Sequence, residues 1–272
     1  MAVLRLIRAP NLLIAALGVL AGGWIALGQI TLSRELALAA LSAIALGAMG
    51  NTWNDIRDVA ADRINRPAAR PLAAGLVARG VAALIVFDGA ILGLACAGLV
   101  SGRQFLAALA ALIVMLSYSP LLKPIPLLGN VAVAVVAGSP PFYGALAADR
   151  PAAGIVPWVL AAWLHAVREI VKDVEDEAGD RAIGRRTLPI TVGQRPALVS
   201  AAGVAVLFVP ASLLLPWSAG YGRAYFLIAL LAQLAVLLAG TWLLLGNVKR
   251  VSILLKGAMV VGLIALVAGK VV

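Results

Sequence analysis

Nine stretches of mostly apolar residues, each about twenty long, begin near Leu12, Leu36, Val81, Phe105, Leu127, Ile155, Leu198, Tyr225 and Ile253. They leave this chain few ways to fold. A segment of that length and character crosses the hydrocarbon of a bilayer as a helix, because lipid offers no partner to a backbone amide or carbonyl. With 63% hydrophobic and 12% charged residues, the sequence lies outside the range of soluble globular domains. The expectation is an all-α integral membrane protein, a single domain over residues 1–272, with about nine transmembrane helices around a central cavity. The first run carries no small-residue cleavage site and is followed at once by a second, so it reads as a retained helix. Cys96 is the only cysteine, which excludes an intrachain disulfide and cysteine-based metal chemistry and leaves it a packing role.

The basic residues are divided unevenly. Most Lys and Arg fall at the N-terminus and in the alternate connections, while the other side carries Arg34, Arg103, Arg150, Arg223 and Lys270. The bias puts the N-terminus in the cytoplasm of a multi-pass cell-membrane protein. Topology and anionic headgroups account for the net charge of +10. Membrane lipids are therefore the expected surroundings, with no nucleic acid and no protein partner implied.

The carboxylates are concentrated in two places. Of twelve Asp and Glu, only Glu35, Asp88, Asp149 and Glu169 lie outside the stretches Asn54–Asp62 and Asp173–Asp180. Both stretches end an apolar run, and each leads into a long basic connection, residues 57–80 and 177–197, so the pattern recurs after four helices. This suggests two pseudo-repeated halves of four helices plus one. Residues four apart are neighbours on a helix surface, so Asn54, Asp58 and Asp62 form one row, and Asp176 and Asp180 another. Asp55 and Asp173 flank these rows as further metal-ligand candidates.

A lone row of carboxylates near a membrane repels itself and is costly to desolvate. Two facing rows become favourable when cations lie between them. Hard oxygen ligands without Cys or an available His select Mg²⁺, which keeps coordination positions for substrate phosphate. Arg63, Arg66, Arg70, Lys123 and Lys172 are then candidates for the remaining phosphate oxygens, with Arg168 facing the same cavity. A diphosphate held at the mouth of an apolar cavity implies a prenyl diphosphate, whose C–O bond ionises once the leaving group is neutralised. Asp58, Asp62, Asp176, Lys123 and Tyr118 form the expected catalytic set. Tyr118 serves either as an interfacial anchor or as a wall for the prenyl cation. His165 reads as a packed or hydrogen-bonded helix residue, and Arg168 and Glu169, inside the sixth span, should face the cavity.

Asn54-Asp55-x-x-Asp58-x-x-x-Asp62, the Arg66-Pro67 and Arg70-Pro71 repeat, and Asp173-x-x-Asp176-x-x-x-Asp180 resemble the signatures of the UbiA superfamily of intramembrane prenyltransferases. The resemblance covers nearly the whole chain. It implies nine helices around a cavity open laterally to lipid, Mg²⁺ dependence, and Asn54, Asp58, Asp62, Asp176 and Asp180 on a Mg²⁺–diphosphate. Within that superfamily, Ile64–Leu72, Leu128-Gly129-Asn130, Arg168–Asp180 and Thr187-Leu188-Pro189 are most similar to archaeal digeranylgeranylglyceryl phosphate synthases. That similarity implies geranylgeranyl transfer from geranylgeranyl diphosphate to the hydroxyl of a lipid phosphate, geranylgeranylglyceryl phosphate, in ether-lipid synthesis. Ala73-Ala74-Gly75 departs from the more polar turn of many relatives. The alternatives are an aromatic acceptor such as 4-hydroxybenzoate and, from another class, a divalent-cation transporter. Asp62 or the released diphosphate would accept the proton.

Overall fold

The computed structural model describes residues 1–271. Helices α1 (Ala2–Leu6), α2 (Ala9–Leu27), α3 (Arg34–Asn65), α4 (Arg79–Val100) and α5 (Gly102–Ser117) come first, α5 being prolonged by a π turn at Tyr118–Leu122. Next are α6 (Leu128–Gly138), α7 (Pro140–Ala147) and α8 (Ile155–Ala182), then α9 (Leu188–Val192), α10 (Gln194–Ser218), α11 (Arg223–Leu244) and α12 (Val251–Ala268). Among the described residues, 8 helices, the π turn counted with α5, are long and apolar enough to span a membrane, and α6 with α7, bent by 42°, brings the number to 9 when the pair is counted as one span.

The bend has a local cause. Pro140 and Pro141 supply no amide to the turn before them and restrict the residue that precedes each. The fifth apolar run, read from sequence as one span, is therefore broken at Ser139. Prolines also stop α3, whose last residue Asn65 is followed by Arg66-Pro67. At 32 residues, α3 is about 48 Å long. The hydrocarbon of a bilayer needs only about 30 Å, and the surplus carries the first carboxylate row.

Hydrophobic burial falls into two main clusters. One joins α2, α3, α4, α5 and α7 through residues such as Val19, Met49, Ala97, Leu112 and Tyr143. The other joins α8, α10, α11 and α12 through Leu164, Val171, Phe208, Val236 and Leu255. The division falls near the boundary of the two halves read from the repeated motif, except that α7, of the fifth span, packs with the first cluster. The opposite helix faces carry exposed Leu84, Phe87 and Ile91, and Leu227, Leu231 and Leu234. Their three- and four-residue spacing marks the stripes offered to lipid.

Between helices in lipid, close packing replaces the hydrophobic effect as the main attraction, and small residues let backbones approach. Helices α2 and α7 meet in this way: a Cβ on Gly144 would collide with the carbonyl oxygen of Val19, and one on Gly22 with the carbonyl of Pro141. Gly257, on α12, has nothing within 4 Å of the same position. Alanine improves helix propensity by about 1 kcal/mol over glycine, while overpacking a tight contact costs about 1–3 kcal/mol. Gly144→Ala should therefore lower the unfolding temperature in detergent, and Gly257→Ala should hold or raise it, as followed by a thermal scan of both variants.

Candidate active site

The second and sixth apolar runs become α3 and α8, and one side chain braces their ends. Asn65 donates through Nδ2 to the carbonyl of Asp176 at 2.9 Å and accepts the Gly179 amide through Oδ1 at 2.8 Å. Gly179 permits this approach, since an added Cβ would lie 2.6 Å from the Ala61 carbonyl oxygen. The brace sets the two carboxylate rows face to face.

Two cations then bridge the rows. Lys123 Nζ lies 3.2 Å from Asp58 Oδ2 and 3.3 Å from Asp180 Oδ1. Arg185 reaches Asp58 Oδ1 at 2.5 Å and Asp180 Oδ1 at 2.9 Å. Further out, Arg66 lies 2.9 Å from both Glu175 and Asp176, and Arg70 lies 3.3 Å from Asp55 and 3.4 Å from Asp62. Burial works against the charge of Lys123, but Asp58 and Asp180 outweigh it and hold the ammonium above the usual lysine range. Arg185 is raised in the same manner, its burial being overcome by Asp58 and Asp180.

Local backbone geometry delivers each cation. Helix α5 widens to a π turn around Pro120, and the Lys123 amide closes it on the Tyr118 carbonyl at 2.8 Å. Such turns recur at functional sites because they redirect side chains that a regular helix would turn away. At the end of α8, Gly184 adopts φ 74°, its amide reaches the Arg181 carbonyl at 3.1 Å, and the Arg185 amide reaches the Asp180 carbonyl at 3.0 Å. These are the paired bonds of a Schellman cap. The cap folds Arg185 back over Asp180.

The remaining candidates take several positions. Asn54 accepts from Ser119 Oγ at 3.3 Å, beside Asp58. Asp55 is buried and held by Arg8 at 2.7 Å as well as by Arg70, while Asp173 accepts from Asn130 Nδ2 at 2.7 Å. Tyr118 is buried on the wall of a cavity of about 330 Å³, whose lining also includes Asn54, Leu46, Met115 and Val133. Arg168 and Lys172 line this cavity too, and both pair with Glu169. His165 lies on the same wall with Nδ1 buried and unbonded. Arg63 is exposed and forms no ion pair among the described residues. Cys96 is buried, as its packing role requires.

Sequence reasoning did not single out Arg185, Asn65 or Asn130. The Gly-Arg pair just beyond the second motif was the available sign for Arg185, because glycine after a helix marks the cap that returns the chain.

Among the described residues, no three metal-ligating side chains of the His, Cys, Asp or Glu type close around a single ion position. The bridging cations set the separation of the rows. The donor set still fits Mg²⁺ shared with a phosphate, because Asp180 Oδ2 and Asp176 Oδ1 are buried and accept no hydrogen bond. The Arg66 ion pair approaches Asp176 Oδ1 without hydrogen-bond geometry. These are hard oxygens of the kind that Mg²⁺ takes.

The UbiA prenyltransferase family model matches residues 15–264. The chain belongs to the UbiA prenyltransferase family. A family relative named digeranylgeranylglyceryl phosphate synthase, from Thermococcus gammatolerans, is 38% identical over 270 residues, covering 97% of this chain and 96% of the relative. A solved structure concerning digeranylgeranylglyceryl phosphate synthase in membranes aligns with a TM-score of 0.77 at 28% identity, covering 99% of this chain and 98% of the other. The fold is also shared with a UbiA homolog from Archaeoglobus fulgidus bound to GPP and Mg²⁺, with a TM-score of 0.64 at 21% identity and coverage of 99% and 98%.

The raised value of Lys123 carries a stability consequence. Its contribution is fully present below the unfolded lysine value, about 10.4, and is lost as the pH rises through the higher folded value. Lys123→Met should thus unfold at a lower temperature than the parent at neutral pH and show a shallower further loss above about pH 10, measured by unfolding midpoints across the alkaline range.

Proposed function

We propose that this chain transfers a geranylgeranyl group from geranylgeranyl diphosphate to the free hydroxyl of geranylgeranylglyceryl phosphate, with Mg²⁺ as cofactor. The observation that carries this reading is the pair of carboxylate rows bridged by Lys123 and Arg185 beside an apolar-walled cavity. Relatives named for this synthase match across almost their whole length. The excess of Lys and Arg in the loops on the side of the site supports a cytoplasmic position for it.

Asn54, Asp58, Asp62, Asp176 and Asp180 would hold Mg²⁺. When bound, Mg²⁺ supplies charge neutralisation on the departing diphosphate. Lys123, Arg185, Arg66 and Arg70 supply donors to the phosphate oxygens, the arginines through two-pronged bonds. The C1–O bond of the prenyl diphosphate breaks and its electron pair leaves with the diphosphate. A lone pair of the acceptor hydroxyl then forms the new C–O ether bond, and its proton passes to Asp62 or to the diphosphate. Tyr118, on the cavity wall, offers a ring face to the allylic cation. The apolar remainder of the cavity excludes the water that would otherwise capture it.

Purified protein incubated with geranylgeranyl diphosphate and Mg²⁺ should form the double-chain ether product with geranylgeranylglyceryl phosphate. Product formed only with 4-hydroxybenzoate would overturn the acceptor. Asp58→Ala and Asp176→Ala should each reduce turnover by at least about a hundredfold while the bundle remains folded. Near-parental rates in both would remove the two-row site from the mechanism. Lys123→Ala should chiefly weaken diphosphate binding or departure, read from the donor KM and from single-turnover rates.

A further inference from the structure

The proposed diphosphate site, beside the cavity, uses Lys123, Arg185, Arg66 and Arg70, and the cavity lining itself carries a separate group of cations. Arg8, Arg168, Lys172 and Lys256, from the start of α2, from α8 and from α12, all line it. Both oxygens of Glu169 are taken, Oε1 by Arg168 at 3.1 Å and Oε2 by Lys172 at 2.8 Å. Arg8 pairs with Asp55 at 2.7 Å, a carboxylate already shared with Arg70. Among the described residues, Lys256 meets only a neutral partner, Asn11 Oδ1, at 3.2 Å.

Four cations thus face two carboxylates in this group, and two positive charges remain. Excess charge within a membrane bundle is costly and marks a functional position. Two buried nitrogens on this wall, Arg168 Nε and His165 Nδ1, also lack a hydrogen-bond partner. Arg8 adopts φ 56°, a left-handed backbone conformation. For a residue other than glycine this is strained, and such strain is retained where a side chain must be aimed. Here it directs the guanidinium to Asn51 and Asp55 at the cavity mouth.

The chemistry differs from that of the carboxylate rows. Here the cations outnumber the carboxylates, so this wall suits an anion that arrives without a metal. Two residual positive charges match the two negative charges of a phosphate monoester. We infer that Arg8, Arg168, Lys172 and Lys256 form a second anion site, which binds the phosphate of the lipid acceptor and selects phosphorylated over unphosphorylated alcohols. The inference rests on the prenyl-transfer reading above and assigns the acceptor end of the same cavity. Asn54 and Tyr118 line the interval toward the diphosphate site, so an acceptor held by its phosphate presents its hydroxyl toward the reacting carbon.

The test measures steady-state kinetics of the full chain in detergent with geranylgeranyl diphosphate and either geranylgeranylglyceryl phosphate or the same alcohol without phosphate. Lys256→Gln should raise the KM for the phosphorylated acceptor by about tenfold to a hundredfold, the value of a lost charge-assisted bond. The donor KM should stay near the parental value, and the preference for the phosphorylated alcohol should shrink by the same factor. Lys256→Arg should restore most of that preference. Radiolabelled donor binding reports folding, and Arg8→Gln carries the same expectation should Lys256→Gln lose it. A rise confined to the donor KM, or an unchanged preference in both variants, would overturn the second site while leaving the enzyme reading intact. A parental protein active only on an aromatic acceptor would overturn the enzyme reading and the second site together.

Discussion

The four carboxylates of the two facing rows can share a small space only because Lys123 and Arg185 stand between Asp58 and Asp180. Without them, like charges would be forced together where water is scarce, and the ends of α3 and α8 would separate. Removing one partner of a buried ion pair typically costs about 3–5 kcal/mol. The figure is an upper bound here, since the side chains of Asp58 and Lys123 remain 17% and 10% exposed. Much of the local backbone serves this arrangement. The π turn after α5, the glycine cap after α8 and the Asn65 brace each position a bridging cation or the helix that carries its partner.

The helical membrane architecture, the motif helices and their termini could be read from apolar run length, four-residue spacing and proline placement. What escaped was mostly directional. Arg63 follows Asp62 by one residue, and Lys172 precedes Asp173 by one, so each points about 100° away from its neighbour. Nearness in sequence suggested that both would approach the diphosphate. The structure turns Arg63 outward and pairs Lys172 with Glu169 on another wall. Arg185 was hidden for the opposite reason: it lies beyond the helix, and only the cap at Gly184 brings it back. The break between α6 and α7 was visible as Pro140-Pro141, but hydropathy alone passes through it.

Two charged regions of different character therefore adjoin. One, beside the cavity, combines carboxylates with bridging bases and fits a metal-bound diphosphate. The other lines the cavity, has more cations than carboxylates, and fits a metal-free phosphate. Between them lie Asn54, Tyr118 and apolar residues from α3, α5 and α6. In the proposed reaction this separation would let two anionic lipids be held at once, each phosphate with its own countercharge and the reactive ends meeting where water is least welcome.

In the proposed mechanism both carboxylate rows act together on one Mg²⁺-bound diphosphate. Calorimetric titration with a geranylgeranyl thiolodiphosphate, which resists ionisation, measures this without turnover. Binding should require Mg²⁺, be abolished by chelation, and weaken by about tenfold or more in either Asp58→Asn or Asp180→Asn. Equal affinity in the presence of chelator, or an unchanged affinity when either row is neutralised, would contradict it.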